Sequence, residues 1–343
     1  MGDSHPLAGH PCSRLECLPV EILQLIFLYS LEINLPRASP YLSRALSNPL
    51  LYTWLIRLAF SSTNPGSREG FFTPDFLPPP LDFWSLPWQQ RQHLQTTILA
   101  CKWCTLPLLR RCQREYVNHA IKRKCSELVF TPEDQARLNN LDKYFSDLNQ
   151  CDQAIDGRRG KGDLVIPATL PNSKPRKLAI WFHFGAIQIR EKNDIYFEAD
   201  LFRLPSSVVI GPGRIPDKVF RAPWSESQFE FLQLLAGDFY LDDEFSTDRS
   251  ARITTRLIRR RSIGPFKRLL GMYFRAANCR VPVRWPLQDK HYTQVRRYGS
   301  GAGDEFVSFI LDKRWDEIPV SEKVELVQYI EAENGCKGLS AEY

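Results

Sequence analysis

Apolar residues near the N-terminus recur at the spacing of α-helices, in three short stretches separated by prolines. The first stretch follows Pro19, and a proline is well tolerated in the first turn of a helix. Its apolar positions lie three or four residues apart: Ile22, Leu23, Ile26, Phe27 and Leu31. Leu25 and Leu28 add apolar side chains to the remaining circumference, so we expect this helix to be buried on more than one side.

Two further helices are predicted between residues 35 and 60. Pro36 and Pro40 interrupt the second stretch and should kink or break it. The third stretch begins at Asn48 and Pro49, a capping residue followed by a first-turn proline. A lone core is marginal in a block of about 40 residues, so the downstream chain or a second protein must cover the remaining apolar surface.

The hydrophobic pattern changes twice further along the chain. Residues 61–87 mix Pro, Ser and Gly with aromatic residues, and we expect this segment to lie across the following helices and cover apolar area. Residues 88–155 keep mostly helical spacing. The glycine-rich basic segment 156–162 is predicted as a domain boundary, because the period changes to strict alternation after it.

Alternation after this boundary predicts a small, mostly antiparallel sheet. Strands are predicted at residues 177–191, 194–205 and 206–210, with a hairpin turn at 192–194. The predicted fold class is therefore α+β, with an N-terminal three-helix module, a helical middle region and a small sheet with flanking helices.

These patterns divide the chain into five predicted segments. They are a disordered N-terminus (1–17), the three-helix module (18–60), a connecting segment (61–87), a helical region (88–155) and an α+β domain (156–343). The last segment holds a basic block at 248–298 and ends in an acidic helix.

Composition places the chain among ordinary globular proteins, with 43% hydrophobic and 24% charged residues. No run of about 18 apolar residues occurs, so we expect no membrane partner. The first residues lack the basic start and apolar core of a secretory signal. We therefore expect an intracellular protein of the cytoplasm or nucleus, whose nine cysteines are thiols.

Cys101 and Cys104 form a Cys-x-x-Cys pair, which is a candidate for zinc binding or redox chemistry. The next candidate ligands, Cys112, His119 and Cys125, are too scattered along predicted helices to complete a zinc site. We therefore expect buried helical thiols, no metal site and no cofactor.

Charge is concentrated in two neighbouring blocks of opposite sign. Residues 248–298 contain 14 Lys or Arg and 2 Asp, whereas residues 304–343 contain 10 acidic and 4 basic residues. The basic block has three interpretations: a nucleic-acid patch, a nuclear-localisation signal, or a face that is solvated or paired within the chain. The candidate patch residues are Arg256, Arg259, Arg260 and Arg261. We favour the third interpretation and do not expect nucleic acid as a partner, because no known nucleic-acid module is present.

No catalytic pattern is found in the sequence. His119 and His291 lack an accompanying nucleophile motif, and His183 falls among aromatic residues of a predicted strand. Neither a nucleophile elbow nor an H-E-x-x-H motif occurs. We therefore expect that the chain is not an enzyme.

The N-terminal module resembles the F-box. An F-box begins with a Leu-Pro pair, continues with an acidic residue, an Ile-Leu pair and an Ile-Phe pair, and ends near an Asn/Asp-Pro segment. In this chain the matching positions are Leu18-Pro19, Glu21, Ile22-Leu23, Ile26-Phe27 and Asn48-Pro49 through Trp54. The resemblance covers residues 18–60 of the 343-residue chain.

The resemblance implies an adaptor of a Skp–cullin–F-box ubiquitin ligase. The module would dock on the Skp adaptor protein, and through it on a cullin, while the C-terminal region presents an unidentified protein substrate. The docking residues that it implies are Leu18, Pro19, Ile22, Leu23, Ile26 and Phe27. The alternative is a nucleic-acid-associated or structural protein that uses residues 248–298, with the N-terminal helices serving only as core.

Overall fold

The computed structural model divides the chain into two compact units, Met1–Gly213 and Arg214–Tyr343. The residues that it describes are 13–62, 70–78, 82–148, 151, 162–191, 201–207, 210–243, 246–276, 279–301 and 303–334. Helices and a small antiparallel sheet make up these residues, which confirms the α+β class.

The first unit begins with helices and ends with the sheet. Its helices are α1 (Val20–Ser30), α2 (Pro40–Ala45), α3 (Pro49–Phe60), α4 (Trp88–Ala100), α5 (Leu106–Lys124), α6 (Pro132–Asn139) and α7 (Asp142–Ser146). Its strands are β1 (Leu164–Thr169), β2 (Pro175–Trp181), β3 (Ala186–Glu191) and β4 (Leu201–Arg203). The sheet that we predicted in one domain with the basic block therefore lies in the first unit.

Local capping sets the boundaries of the N-terminal helices. The Ser39 side chain accepts the N–H of Leu42 at the start of α2, and the Asn48 side chain accepts the N–H of Leu50 at the start of α3. Leu31 ends α1 in the left-handed conformation, with φ of 52°. The second stretch is broken as expected, into a 3-10 turn and α2.

The connecting segment packs on the first unit. Phe71 and Phe76 are buried, and the Phe76 ring stacks on His119 of α5 with centroids 4.1 Å apart. Arg57 of α3 donates to the carbonyl oxygen of Phe76 at 2.7 Å and pairs with Glu115 at 2.7 Å. For residues 70–78 this agrees with the expectation that the segment covers apolar area of neighbouring helices.

The strand predicted at residues 177–191 is in fact a hairpin. Strands β2 and β3 pair antiparallel, with Ile180 opposite Ile187, and a tight turn at 182–185 joins them. Gly185 has φ of +56°, and a Cβ there would lie 2.5 Å from the carbonyl oxygen of Leu204. Only glycine fits this turn, and the apolar alternation running through it concealed it from the sequence analysis.

The other elements predicted near the sheet either differ from the structure or lie outside the described residues. Of the strand predicted at 194–205, β4 is the described part, and the predicted turn at 192–194 lies outside the described residues. Of the strand predicted at 206–210, the described positions 206, 207 and 210 are not in a strand. The predicted boundary segment 156–162 is described only at its last residue.

The predicted disordered N-terminus is described only in part. Residues 1–12 lie outside the described part of the chain. Ser13 and Glu16 form a turn, in which the N–H of Ser13 donates to the Glu16 carboxylate at 2.8 Å and the N–H of Glu16 donates to the carbonyl oxygen of Ser13 at 3.0 Å. Disorder is therefore wrong for residues 13–17, because these hydrogen bonds order them.

The second unit is mainly helical. Its helices are α8 (Glu226–Ala236), α9 (Asp248–Arg259), α10 (Ile263–Leu270), α11 (Asp289–Tyr298), α12 (Glu305–Arg314) and α13 (Val320–Asn334). Strands β5 (Tyr273–Ala276) and β6 (Cys279–Arg284) form a hairpin within the basic block 248–298. The sequence analysis missed this hairpin.

Two arginines of the second unit are buried and hold its loops together. Arg249 donates to the carbonyl oxygens of Leu241 and Ile215 at 2.8 and 2.6 Å. Arg314 donates to the carbonyl oxygen of Trp285 at 2.7 Å. These hydrogen bonds pair the terminal nitrogens of both guanidinium groups, while each Nε is buried without a partner among the described residues, so the two arginines contribute to the fold rather than to the solvent-exposed charge.

His291 is buried and neutral in the second unit. Its Nδ1 accepts the N–H of Gln288 at 2.9 Å, and its Nε2 donates to the carbonyl oxygen of Ala251 at 3.1 Å. Burial, with Lys290 adding repulsion, lowers the pKa of His291 to about 4. The unfolded chain binds a proton at this side chain near its ordinary pKa of about 6.5, so acid favours the unfolded state between these two pKa values.

We expect the second unit to lose stability as the pH falls from 7 towards 4. At pH 5, His291 should contribute a loss of roughly 2 kcal/mol, since each unit of separation in pKa is worth about 1.4 kcal/mol. Urea unfolding at pH 7.5 and pH 5 measures this loss, and it should shrink in a His291→Asn variant. Proton NMR gives a direct check, because titration of the folded His291 ring near pH 6.5 would contradict the prediction.

Candidate partner-binding surface

Helix α1 carries apolar side chains on two opposite faces. On the inner face, Leu23 and Phe27 are 0% and 1% exposed. On the outer face, Ile22, Leu25 and Tyr29 are 41%, 45% and 54% exposed. The two faces match the expectation of a helix that is apolar around most of its circumference.

Helical geometry explains which residues share each face. Ile22, Leu25 and Tyr29 are separated by three and four residues, so their side chains follow one another along one side of α1. The side chain of Gln24 donates to the carbonyl oxygen of Ala45 at 3.2 Å and so attaches α1 to the end of α2. This contact and the burial of the inner face fix the outer face towards solvent.

The structure separates the six predicted docking residues. Pro19 and Ile22 are exposed, and Leu18 and Ile26 are partly exposed. Leu23 and Phe27 lie in the chain's own core, so the prediction that they contact a partner is wrong for this structure. The physical reason is that both side chains point from α1 towards the protein interior, where their apolar surface is already removed from water.

Sequence reasoning missed Leu25 and Tyr29 as surface residues. Both lie on the same side of α1 as Ile22, and the helical periodicity could have revealed this. Val20 at the start of α1, Tyr41 of α2 and Leu50 of α3 are also exposed. We call Ile22, Leu25 and Tyr29 the outer α1 face.

Exposed apolar side chains are concentrated in this part of the chain. Of the 13 large hydrophobic residues exposed among those described, six lie between Val20 and Leu50. Helix α1 itself has a single charged residue, Glu21, in its first turn. A concentration of exposed apolar side chains with little charge is typical of a protein-binding surface.

The basic block is divided between paired and unpaired arginines. Arg261 pairs with the fully buried Asp304, and its guanidinium lies 4.5 Å from the centre of the Phe306 ring. Arg261 is partly exposed, but its guanidinium pairs with this buried carboxylate, so it also contributes to the packing of the second unit. Arg256, Arg259 and Arg260 are exposed, as a patch requires.

Acidic residues of the C-terminal block pair with other members of the basic block. The pairs are Lys267–Glu305, Arg284–Glu317, Arg296–Glu322 and Arg296–Glu325. These ion pairs neutralise Lys267, Arg284 and Arg296. None of them involves an arginine on the exposed face of α9.

Two of the cysteines and one of the histidines that were considered for chemistry are buried or partly buried in the fold. Burial raises the pKa of the Cys112 and Cys125 thiols to about 12, so both stay protonated at neutral pH and are poor ligands and nucleophiles. The Nε2 atom of His119 lies 2.6 Å from the carbonyl oxygen of Phe71, and burial lowers the pKa of this histidine. Within the described ranges, no group of three or more His, Cys, Asp or Glu side chains could hold a metal ion.

No helix in the described part of the chain is long and apolar enough to cross a membrane. Comparisons with protein-family models, with curated proteins and with solved structures find no match. The exposure of the outer α1 face is therefore the one observation behind this candidate partner-binding surface.

We expect two leucines of α1, two residues apart, to respond differently to truncation. Leu23→Ala removes a fully buried side chain and should lower the free energy of unfolding by about 2–5 kcal/mol. Leu25→Ala changes an exposed side chain and should alter it by less than about 0.5 kcal/mol. Thermal or urea unfolding measures both, and equal losses would show that Leu25 is also part of the core.

Proposed function

We propose that this chain is an F-box-like adaptor that docks on the Skp subunit of a Skp–cullin–F-box ubiquitin ligase through the outer α1 face. The observation that carries the proposal is the exposure of Ile22, Leu25 and Tyr29 on a helix whose opposite face is fully buried. The Leu18-Pro19 turn, which leads into that helix, and the three-helix order support the same function.

The chain would act by bringing a substrate close to the ligase rather than by chemistry of its own. An adaptor holds a bound protein beside a ubiquitin-conjugating enzyme and so raises the effective concentration of the acceptor lysine. The remaining chain would supply the substrate-binding surface. No catalytic group of this chain is needed for that role.

The energy of docking indicates how far the surface must extend. Completing the burial of three half-exposed apolar side chains contributes about 1 kcal/mol each, because full burial is worth about 1.5–3 kcal/mol. A micromolar dissociation constant corresponds to about 8 kcal/mol. The outer α1 face alone is therefore too small, so docking would also have to bury residues outside α1; Tyr41 of α2 and Leu50 of α3 are the other large apolar residues that these two helices expose.

We expect the full-length chain to co-purify with the Skp adaptor. The double variant Ile22→Asp/Leu25→Asp should retain at least about tenfold less adaptor than the unaltered chain, because docking would bury two carboxylates without partners. The protein should keep its fold, since both side chains are exposed. The measurement is quantitative pull-down, with circular dichroism and a thermal melt of each variant.

Val324→Asp is the matched control. Val324 is an exposed apolar residue of α13 in the second unit, and its substitution should leave the amount of adaptor retained unchanged. Failure of the unaltered chain to bind the adaptor would refute the proposal. Equal loss in the double variant and the control would show that the outer α1 face is not the docking surface.

A further inference from the structure

Four exposed arginines form a line along helix α9. Arg252, Arg256 and Arg259 follow one another at intervals of four and three residues on one face of α9, and Arg260 comes directly after them at the end of the helix. We call these four residues the arginine stripe. The opposite face of α9 buries Ile253, Leu257 and Ile258 in the second unit. The stripe spans about 12 Å, since an α-helix rises 1.5 Å per residue.

The stripe keeps its positive charge in the folded protein. None of its four guanidinium groups forms an ion pair with a carboxylate within the residues that the structure describes. Arg252 donates to a backbone oxygen, that of Asp248, at 3.3 Å. The acidic residues of α9 and α11, Asp248 and Asp289, occupy first turns, away from the last turn of α9, which holds Arg256 and Arg259.

Helix α11 extends this charged surface. The guanidinium groups of Arg259 and Arg297 lie 5.8 and 5.7 Å from the centre of the Tyr298 ring. The ring therefore brings an arginine from each helix close together. Lys290 and Arg297 are exposed on α11 and add two further cations to this part of the unit.

The turn at the end of α9 is rigid. Arg261 has φ of 54°, and its side chain pairs with Asp304, whose carboxylate also accepts the N–H groups of Phe306 and Val307 at 2.9 and 3.1 Å. Because Asp304 is buried, this network holds the end of α9 against the start of α12. The stripe is thus presented on a fixed helix rather than on a loop, which lowers the entropic cost of binding.

We propose that the arginine stripe binds the phosphate backbone of a nucleic-acid duplex, without reading its sequence. Arginine is suited to phosphate because its planar guanidinium donates two parallel hydrogen bonds. A line of cations without carboxylate partners matches the regularly repeated charge of a phosphate backbone, and release of counterions supplies the binding energy.

The surroundings of the stripe favour a duplex over other polyanions. A membrane-binding helix would present apolar side chains beside its cations, whereas the apolar face of α9 is buried. A peptide would require apolar anchor sites, and single-stranded nucleic acid would require exposed aromatic rings for stacking. Within the described residues, α9 and α11 expose no large hydrophobic side chain, and Tyr298 is only partly exposed.

The test is fluorescence anisotropy of the full-length chain with labelled 20-base-pair duplexes of DNA and of RNA, over a series of salt concentrations. Matched single strands and a poly-glutamate peptide serve as the other polyanions. We expect duplex binding whose logarithmic salt dependence has a slope of about −4, as four phosphate contacts require. The triple variant Arg252→Gln/Arg256→Gln/Arg260→Gln should bind at least tenfold more weakly at 50 mM salt, with a slope reduced by about 3.

The control removes three exposed cations elsewhere, as Lys122→Gln/Lys143→Gln/Arg221→Gln, and should leave duplex binding within about twofold. Both triple variants should keep the circular dichroism and melting temperature of the unaltered chain. Binding to both duplex types would support the proposal as it stands, and binding to only one of them would also identify DNA or RNA as the source. No duplex binding at 50 mM salt, an equal loss in the control, or binding to the single strand or the peptide as tight as to the duplex would overturn it.

Discussion

The N-terminal part of the molecule depends on one constraint: α1 has apolar side chains on both faces but only one interior to bury them in. Burial of Leu23 and Phe27 sets the rotation of α1 about its axis. Turning the helix to hide Leu25 and Tyr29 would bring Leu23 and Phe27 into water, so no rotation covers both faces. The exposed apolar surface is therefore a consequence of the sequence of α1 together with the packing of α2 and α3.

The N-terminal helices were predictable because their signals are local. Ser39 and Asn48 cap helices within three residues, and Pro36 and Pro40 break the chain where they stand. The β2–β3 hairpin was not predictable in the same way. Its turn depends on a close approach between Gly185 and the backbone of Leu204, and a contact between such distant residues leaves no trace in the local alternation.

The candidate docking surface was predictable only in part. The F-box resemblance predicts docking through α1, but its motif includes residues from both faces of this helix and does not separate core from surface. Leu23 belongs to the motif and is buried, whereas Leu25 lies outside it and is exposed. Only the packing of α1 on the rest of the module distinguishes these two leucines.

The sequence named three of the exposed arginines, Arg256, Arg259 and Arg260, but the count of charges does not show which arginines are paired within the fold. Arg249 and Arg314 bind carbonyl oxygens in the interior, and Arg261 pairs with a buried carboxylate. The stripe on α9 is what remains once such partners are assigned. Tertiary contacts between residues far apart in the chain decide which arginines have such partners. The net charge of a segment therefore does not show which of its arginines are exposed and unpaired.

The two-faced character of α1 also has a consequence for sequence drift. Selection for folding acts on Leu23 and Phe27, because their loss opens a cavity in the core. Under the proposed docking, selection for binding would act on Ile22, Leu25 and Tyr29, which folding does not require. A descendant chain that no longer needs a partner would thus become polar at positions 22, 25 and 29, while positions 23 and 27 stay apolar. This pattern of substitutions would indicate that the interaction had been lost.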